Sequence, residues 1–147
     1  MILRWLNSLV SRSSEAPQAL NSPVPAHGVD VSALVARARA AIEADDYEQA
    51  VPLLEAAIEQ RHDDPGLHLM LGTVHEQAGR FEEANDCYLV ASCHPPVSAE
   101  VHYRLGIVAS KLGQSEDAVA RFREAVSIAP DYVKAWSHLG NVLTGLC

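Results

Sequence analysis

Small and apolar residues recur along this chain at a constant interval of 34 residues. The pair Leu-Gly stands at 71–72, 105–106 and 139–140, and other residue classes keep the same register. Alanine recurs at 50, 84 and 118, a large residue at 54, 88 and 122, and alanine again at 57, 91 and 125. This period is typical of helical pairs that bury their apolar faces by stacking on neighbours. The register divides the chain into units 31–64, 65–98, 99–132 and a partial unit 133–147, and positions below are counted from 1 within each unit.

Each full unit has the signals of two helices joined by a short turn. From residue 31 the composition turns to Ala, Leu, Glu and Arg, which favour helices. Residues expected to end the first or second helix of a unit are Gly79, Gly113, Pro96 and Pro130. Asp64-Pro65 predicts a helix start, with the aspartate as cap and the proline in the first turn. Ser115 is the predicted cap of the helix that follows Gly113.

The fullest motif spans the third and fourth units. Its parts are Ala118, Phe122, Ala125 and Pro130, then Trp136, Leu139, Gly140 and Leu143. These residues resemble the tetratricopeptide repeat family, whose pattern is W-x2-L-G-x2-Y, then A-x3-F, then a terminal P. The resemblance implies an all-α, right-handed solenoid of antiparallel helix pairs, with three full 34-residue repeats and one helix of a fourth. It also implies a non-catalytic scaffold for protein–protein interaction.

In the family that this chain resembles, the first helices of the stacked units line a concave groove that binds a peptide or a partner helix. The residues at groove-facing positions that we expect to contact a partner are Arg39, Leu69, Thr73, Glu76, Tyr103, Arg104, Ile107, Lys111, Lys134, Ser137 and Asn141. Arg104, Lys111 and Lys134 are basic, and such a cluster favours an acidic or carboxylate-ended peptide. The alternative is a solvated face without a ligand. The carboxylate clamp of chaperone-binding members is not expected, because its lysine and asparagine positions hold Val35, Arg39 and Met70.

The fourth unit holds a single helix. Trp136, Leu139 and Leu143 are predicted to point toward a second helix that the sequence does not contain. Three interpretations are open: a capping helix, a self-association surface that forms a homodimer through residues 133–147, or a piece of a longer chain. The last leads to a different class of function, the N-terminal repeat portion of a glycosyltransferase, sulfotransferase or methyltransferase.

Residues that could carry chemistry are sparse in this pattern. His68 and His102 share one unit position, and His75 lies two turns after His68, so packing between paired helices accounts for them. Cys87 and Cys93-His94 do not form a zinc or haem spacing. We find no nucleophile–base–acid set and no phosphate-binding loop. We therefore expect no catalytic residues, no metal site and no cofactor.

Charge and composition limit the classes of partner further. The net charge is −8, and residues 31–147 hold 9 basic against 17 acidic side chains, so we expect no nucleic-acid partner. Residues 1–12 have an amphipathic spacing that could contact a membrane, but two arginines give little attraction, and a disordered or weakly docked tail is the favoured interpretation. Residues 13–30 contain three prolines and are interpreted as a flexible linker. Three cysteines are too few for a disulfide scaffold, which favours the cytoplasm.

Overall fold

The computed structural model describes residues 30–145, which form seven α-helices and no strand. The helices are α1 (Val31–Glu43), α2 (Tyr47–Gln60), α3 (Pro65–Gln77), α4 (Phe81–Ser92), α5 (Ala99–Lys111), α6 (Ser115–Ile128) and α7 (Val133–Gly145). Three helix pairs and the single helix α7 confirm the predicted all-α solenoid. The segment predicted over residues 1–12 and the linker predicted over 13–30 lie outside the described residues, apart from Asp30. Among the helices of this described part, none combines the length and apolar character that a membrane span requires.

The turn between the two helices of a unit is the same in all three full units. Position 15 has a positive φ each time: 57° at Asp45, 75° at Gly79 and 77° at Gly113. Glycine adopts this conformation without steric cost, and aspartate is among the residues that tolerate it best. The next amide closes the turn by donating to the carbonyl five residues earlier, at 2.8 Å from Asp46 to Ala41 and 2.9 Å from Gln114 to Ala109.

Side-chain caps set several of the helix starts. Asp64 Oδ1 accepts from the Gly66 amide at 2.9 Å and Pro65 is the first helical residue, as predicted. The prediction for Ser115 is wrong, because the residue after the positive-φ glycine already occupies the cap position. Gln114 is that residue and makes no side-chain cap bond, so Ser115 falls inside the first turn of α6.

Position 8 is a notch into which an aromatic ring of the second helix fits. A Cβ atom built on Gly72 would lie 2.5 Å from the Tyr88 ring, and one built on Gly106 would lie 2.6 Å from the Phe122 ring. Real Cβ atoms do not approach so closely, so glycine is required for this pairing of helices. Tyr88 and Phe122 are both fully buried as a result.

Position 7 links one unit to the unit before it. Leu71 lies in a cluster with residues of α1 and α2, and Leu105 in a cluster with residues of α4. Leu139 packs in the same way against Phe122 of α6 and is only 5% exposed. The prediction that Leu139 points toward an absent helix is therefore wrong, because position 7 faces the preceding pair. Trp136 and Leu143 are 52% and 39% exposed.

Candidate partner-binding groove

The N-terminal part of the candidate groove is a cleft between α1 and α3. Its volume is about 550 Å³. It is lined by groove-position residues of the first two units, together with residues that flank them: Val31, Ser32, Val35, Ala36, Arg39, Arg61, Asp64, Gly66, Leu67 and Met70. Arg39, which the sequence singled out, is exposed on this cleft. Arg61 lies 4.0 Å from Asp64, so the cleft combines apolar walls with two guanidinium groups and one carboxylate.

A polar network joins α3, α4 and α5 in the middle of the groove. Tyr88 Oη donates to Glu76 Oε2 at 2.6 Å and lies 3.3 Å from Thr73 Oγ1. Arg104 Nη1 lies 3.4 Å from the same Glu76 oxygen, and Arg104 Nη2 lies 3.5 Å from Glu100 Oε1. The Glu76 carboxylate therefore accepts a hydrogen bond from a hydroxyl of its own unit and forms an ion pair with a guanidinium of the next unit. These two interactions couple the two units.

This network changes the electrostatic role expected of Arg104. Burial acts to lower the pKa of its guanidinium, but Glu76 and then Tyr88 and Glu100 outweigh burial and raise it. The Arg104 side chain is 30% exposed and is offset by two carboxylates. Burial, reinforced by the hydrogen bond to Glu76, also raises the pKa of the Tyr88 hydroxyl far above its usual range. Arg104 is thus a paired group that holds two units together, and it does not add a free positive charge to the groove.

An aromatic cluster connects the C-terminal part of the groove to the buried ring of Phe122. The Tyr103 ring lies 5.9 Å from Phe122, 5.0 Å from Tyr132 and 5.6 Å from His138. His138 also stacks on Phe122 at 5.7 Å between ring centres. Of these residues, only Tyr103 was among the sequence candidates. His138 occupies a groove position, so the sequence could have indicated it. Phe122 and Tyr132 lie outside the groove positions, and only the packed structure brings them to Tyr103.

The remaining candidates divide by exposure. Leu69 and Ile107 are half-buried and pack against core clusters, so much of their surface already has a partner within the protein. The Thr73 hydroxyl donates to the Leu69 carbonyl at 2.9 Å. Four candidates are exposed along α5 and α7, and these are Lys111, Lys134, Ser137 and Asn141. Neither lysine has an ion-pair partner among residues 30–145.

His68, His102 and Cys87 do not occupy groove positions. His102 Nδ1 lies 2.7 Å from Glu124 of α6, and His68 Nε2 lies 3.0 Å from the His62 carbonyl. Burial, followed by the nearby carboxylates of Asp86, Glu55 and Glu83, raises the pKa of the Cys87 thiol to about 11, which disfavours the reactive thiolate. Within the described part of the chain, no group of three or more His, Cys, Asp or Glu side chains is placed to hold a metal ion.

Comparison with known proteins places the repeats in a family. Residues 41–92 and residues 99–132 each match a model of the tetratricopeptide repeat, and together the matches span more than half of the chain. The protein O-mannosyl-transferase Tmtc3 of Drosophila melanogaster is 26% identical over 115 residues, which are 68% of this chain and 12% of that protein. The probable biofilm formation methyltransferase WspC of Pseudomonas putida is 34% identical over 67 residues, which are 45% of this chain and 16% of that protein.

Solved structures share the fold at low sequence identity. The first repeat domain of Spaghetti (RPAP3), bound to an HSP90 peptide, superposes with a TM-score of 0.75 and 15% identity, over 79% of this chain and 92% of that one. The type III secretion chaperone SycD of Yersinia enterocolitica, in complex with a peptide of the translocator YopD, also gives 0.75 and 15%, over 80% and 95%. At this identity the likeness establishes the fold alone.

Proposed function

The chain belongs to the tetratricopeptide repeat family, and we propose that it is a non-catalytic interaction scaffold that binds a peptide or a partner helix along the face formed by its first helices. The cleft between α1 and α3 carries this proposal. Its volume of about 550 Å³ is in the range of ligand-binding clefts. Val35, Ala36 and Met70 offer apolar contact, and Arg39 stands where it can orient a polar or charged group. Such a combination suits side-chain insertion by a peptide.

An acidic segment is the partner that the exposed charges favour. Arg39, Lys111 and Lys134 are exposed at groove positions of the first, third and fourth units. The array is acidic as a whole, with 17 acidic and 9 basic side chains over residues 31–147. Basic residues on one face of an acidic protein orient an incoming acidic partner and disfavour a basic one. Two proteins of the same fold were solved with bound peptides, which supports a peptide as the class of ligand.

The test uses labelled peptides of equal length with acidic, neutral and basic composition. We expect the acidic peptides to bind most tightly in fluorescence anisotropy, with an affinity that falls as salt is raised. The double variant Lys111→Glu, Lys134→Glu, or the single variant Arg39→Glu, should weaken binding by about tenfold. Arg123→Glu is the matched control, because Arg123 is an exposed guanidinium on α6, a second helix. Equal affinity for acidic and basic peptides, or equal losses in the control, would contradict the proposal.

A second candidate function rests on the curated relatives. Both are transferases by name, and the chain spans only 12% and 16% of their lengths. In this alternative the array is the repeat portion of a larger glycosyltransferase or methyltransferase, and the groove binds the substrate protein or another part of the enzyme. Sequencing the source DNA on both sides of this coding region separates the two. A transferase domain in the same reading frame supports the enzyme, and stop codons on both sides support the scaffold.

A further inference from the structure

A second cleft of the array lies between α2 and α4 and is also lined by α3. We call it the α2–α4 cleft. Its volume is about 460 Å³, and none of its lining residues belongs to the cleft of the candidate groove. Most of its surface is apolar, with contributions from Ile58, Leu71 and Val90. Val90 is 40% exposed, so part of this apolar surface is open to a ligand.

Three carboxylates line the same cleft, and no described residue pairs with them. Glu55 and Glu59 lie one turn apart on α2, and Asp86 lies on α4. All three are exposed, and none forms an ion pair with another residue among 30–145. After burial, Asp86 and Glu55 are the groups that raise the pKa of the Cys87 thiol most, so carboxylates of both helices act on the cleft. An apolar cleft with three unpaired carboxylates suits a cation on an apolar stem.

The third unit shows which cation the corresponding positions accept. Position 23 is Cys87 in the second unit and Arg121 in the third, and position 26 is Val90 and Glu124. Arg121 Nη1 lies 3.2 Å from Glu124 Oε2, and His102 Nδ1 lies 2.7 Å from the same oxygen. The third unit therefore supplies its own guanidinium, whereas no arginine or lysine lines the α2–α4 cleft. An arginine from elsewhere would give this cleft the same kind of pairing.

Residues 1–12 carry an arginine among apolar residues. Arg4 stands between Leu3 and Trp5, in a stretch that also contains Leu6. The segment has two arginines and no acidic residue, so its charge is opposite to that of the cleft. Its charge and its apolar character therefore both complement the α2–α4 cleft.

This segment is also within reach of the cleft. Val31 belongs to the same core cluster as Leu71, and Ile58 and Cys87 pack against that cluster. Residues 13–30 separate Val31 from the segment, and these 18 residues can span up to about 60 Å. A short tether gives a weak ligand a local concentration on the order of millimolar, which favours it over a separate partner.

We infer that the α2–α4 cleft binds residues 1–12 of this same chain. The Arg4 guanidinium pairs with the carboxylates of the cleft, and the apolar side chains beside it cover Val90. The cleft of the candidate groove suits this segment less, because Arg39 and Arg61 line it. The bound segment therefore leaves the candidate groove open to an acidic partner.

The test uses the full chain with Trp136→Phe, which leaves Trp5 as the sole tryptophan. Compared with a synthetic peptide of residues 1–12, Trp5 in the chain should emit at shorter wavelength and be quenched less by acrylamide, because the segment is bound. Arg4→Gln should lower the ratio of bound to free segment by about tenfold. The same substitution in the peptide controls for a direct effect on the neighbouring indole.

Two double variants locate the site by removing charge without changing side-chain shape. Glu55→Gln with Asp86→Asn should lower the ratio of bound to free segment by about tenfold. Glu82→Gln with Asp117→Asn is the matched control, since these exposed carboxylates lie on α4 and α6 outside the cleft. The control should leave the ratio within about twofold.

A further variant supplies the guanidinium from the cleft itself. Cys87→Arg gives position 23 of the second unit the residue of the third, so it should release Trp5 into water. Ser127→Arg adds the same charge at an exposed position of α6 and should not release it.

The inference is overturned if acrylamide quenches Trp5 equally in the chain and in the free peptide. Equal effects of the cleft variants and their controls would overturn it as well. Emission that depends on protein concentration would also contradict it, because the segment would then bind a second copy.

Discussion

The third unit and α7 carry nearly the same motif in two different surroundings. Gly106 lies under the Phe122 ring, and Gly140 faces open space. One position earlier, Leu105 and Leu139 are both buried, at 1% and 5% exposure. Two adjacent residues of one helix therefore depend on different neighbours. Position 7 requires the preceding pair, whereas position 8 requires the second helix of its own unit.

The comparison teaches how a repeat array distributes its stability. Each first helix is held on one side by the unit before it and on another side by its own partner helix. In α5 both sides are covered by helices, whereas among residues 30–145 a helix covers only the first side of α7. Apolar burial contributes about 25 cal/mol per Å² removed from water. The same residue class should therefore matter much more in α5 and α6 than in α7.

The largest effect is expected for Phe122→Ala. Phe122 is fully buried over Gly106, and removing the ring should lower the free energy of unfolding by about 3–5 kcal/mol. Trp136→Ala removes a larger aromatic from α7 but should cost less than about 1 kcal/mol, since Trp136 is 52% exposed. Urea unfolding followed by circular dichroism measures both. Equal losses would contradict the assignment of the two environments.

The second effect has opposite signs in the two helices. Gly106→Ala places a Cβ atom 2.6 Å from the Phe122 ring and should destabilise the fold by about 1–3 kcal/mol. Gly140→Ala meets no neighbour and should stabilise by about 0.5–1 kcal/mol, because alanine favours a helix over glycine. The midpoints of thermal unfolding provide the test. If Gly106→Ala stabilised the protein, the close packing of the Phe122 ring on Gly106 would be contradicted.

A third effect compares the second unit with the third. Position 24 is Tyr88 in one and Phe122 in the other, so Tyr88→Phe gives the second unit the residue of the third. The ring still covers Gly72, but the 2.6 Å bond from the hydroxyl to Glu76 is lost. We expect a loss of about 1.5 kcal/mol, the lower range for a hydrogen bond to a charged group. Urea unfolding of Phe122→Tyr is the matched measurement, because the uncharged Ser110 occupies the position of Glu76 in the third unit.

The smallest effect concerns pH and position 11. Burial, helped by the charge of Arg80 and opposed by Glu83 and Glu55, lowers the pKa of His75 in the folded state. The unfolded chain then binds a proton more readily, so stability falls as the pH drops below the ordinary histidine pKa of about 6.5 and levels off below the folded pKa. His75→Ala, which gives α3 the residue of α5, should reduce this loss as the pH drops below about 6.5. An unchanged slope of stability against pH would exclude His75 as a source.

Sequence reasoning succeeded for most of the residue classes that repeat at the 34-residue interval. Glycines at positions 8 and 15, alanines at 20 and 27, and the aspartate–proline helix start all have a local or nearest-neighbour cause. The error on Leu139 arose because a helical motif states which positions are apolar without stating which neighbour each one faces. Only the three-dimensional stack separates position 7 from positions 4, 8 and 11.

The groove was less predictable than the fold. Arg104 is a basic residue in the sequence, yet it is balanced by Glu76 from 28 residues earlier and by Glu100. The aromatic cluster around Tyr103 likewise brings together residues of the third and fourth units. Such pairs depend on how far each unit is rotated against the next. That rotation is a property of the packed helices and is not encoded in the spacing of one residue class.

The central claim is that each first helix depends on the second helix that covers it. Native-state hydrogen exchange of the full chain, followed by mass spectrometry, tests this directly because it reports the opening of each helix. Amides of α5 should exchange only through global unfolding, and amides of α7 should exchange much faster, through local opening. Equal protection of α5 and α7 in the monomer would contradict the account.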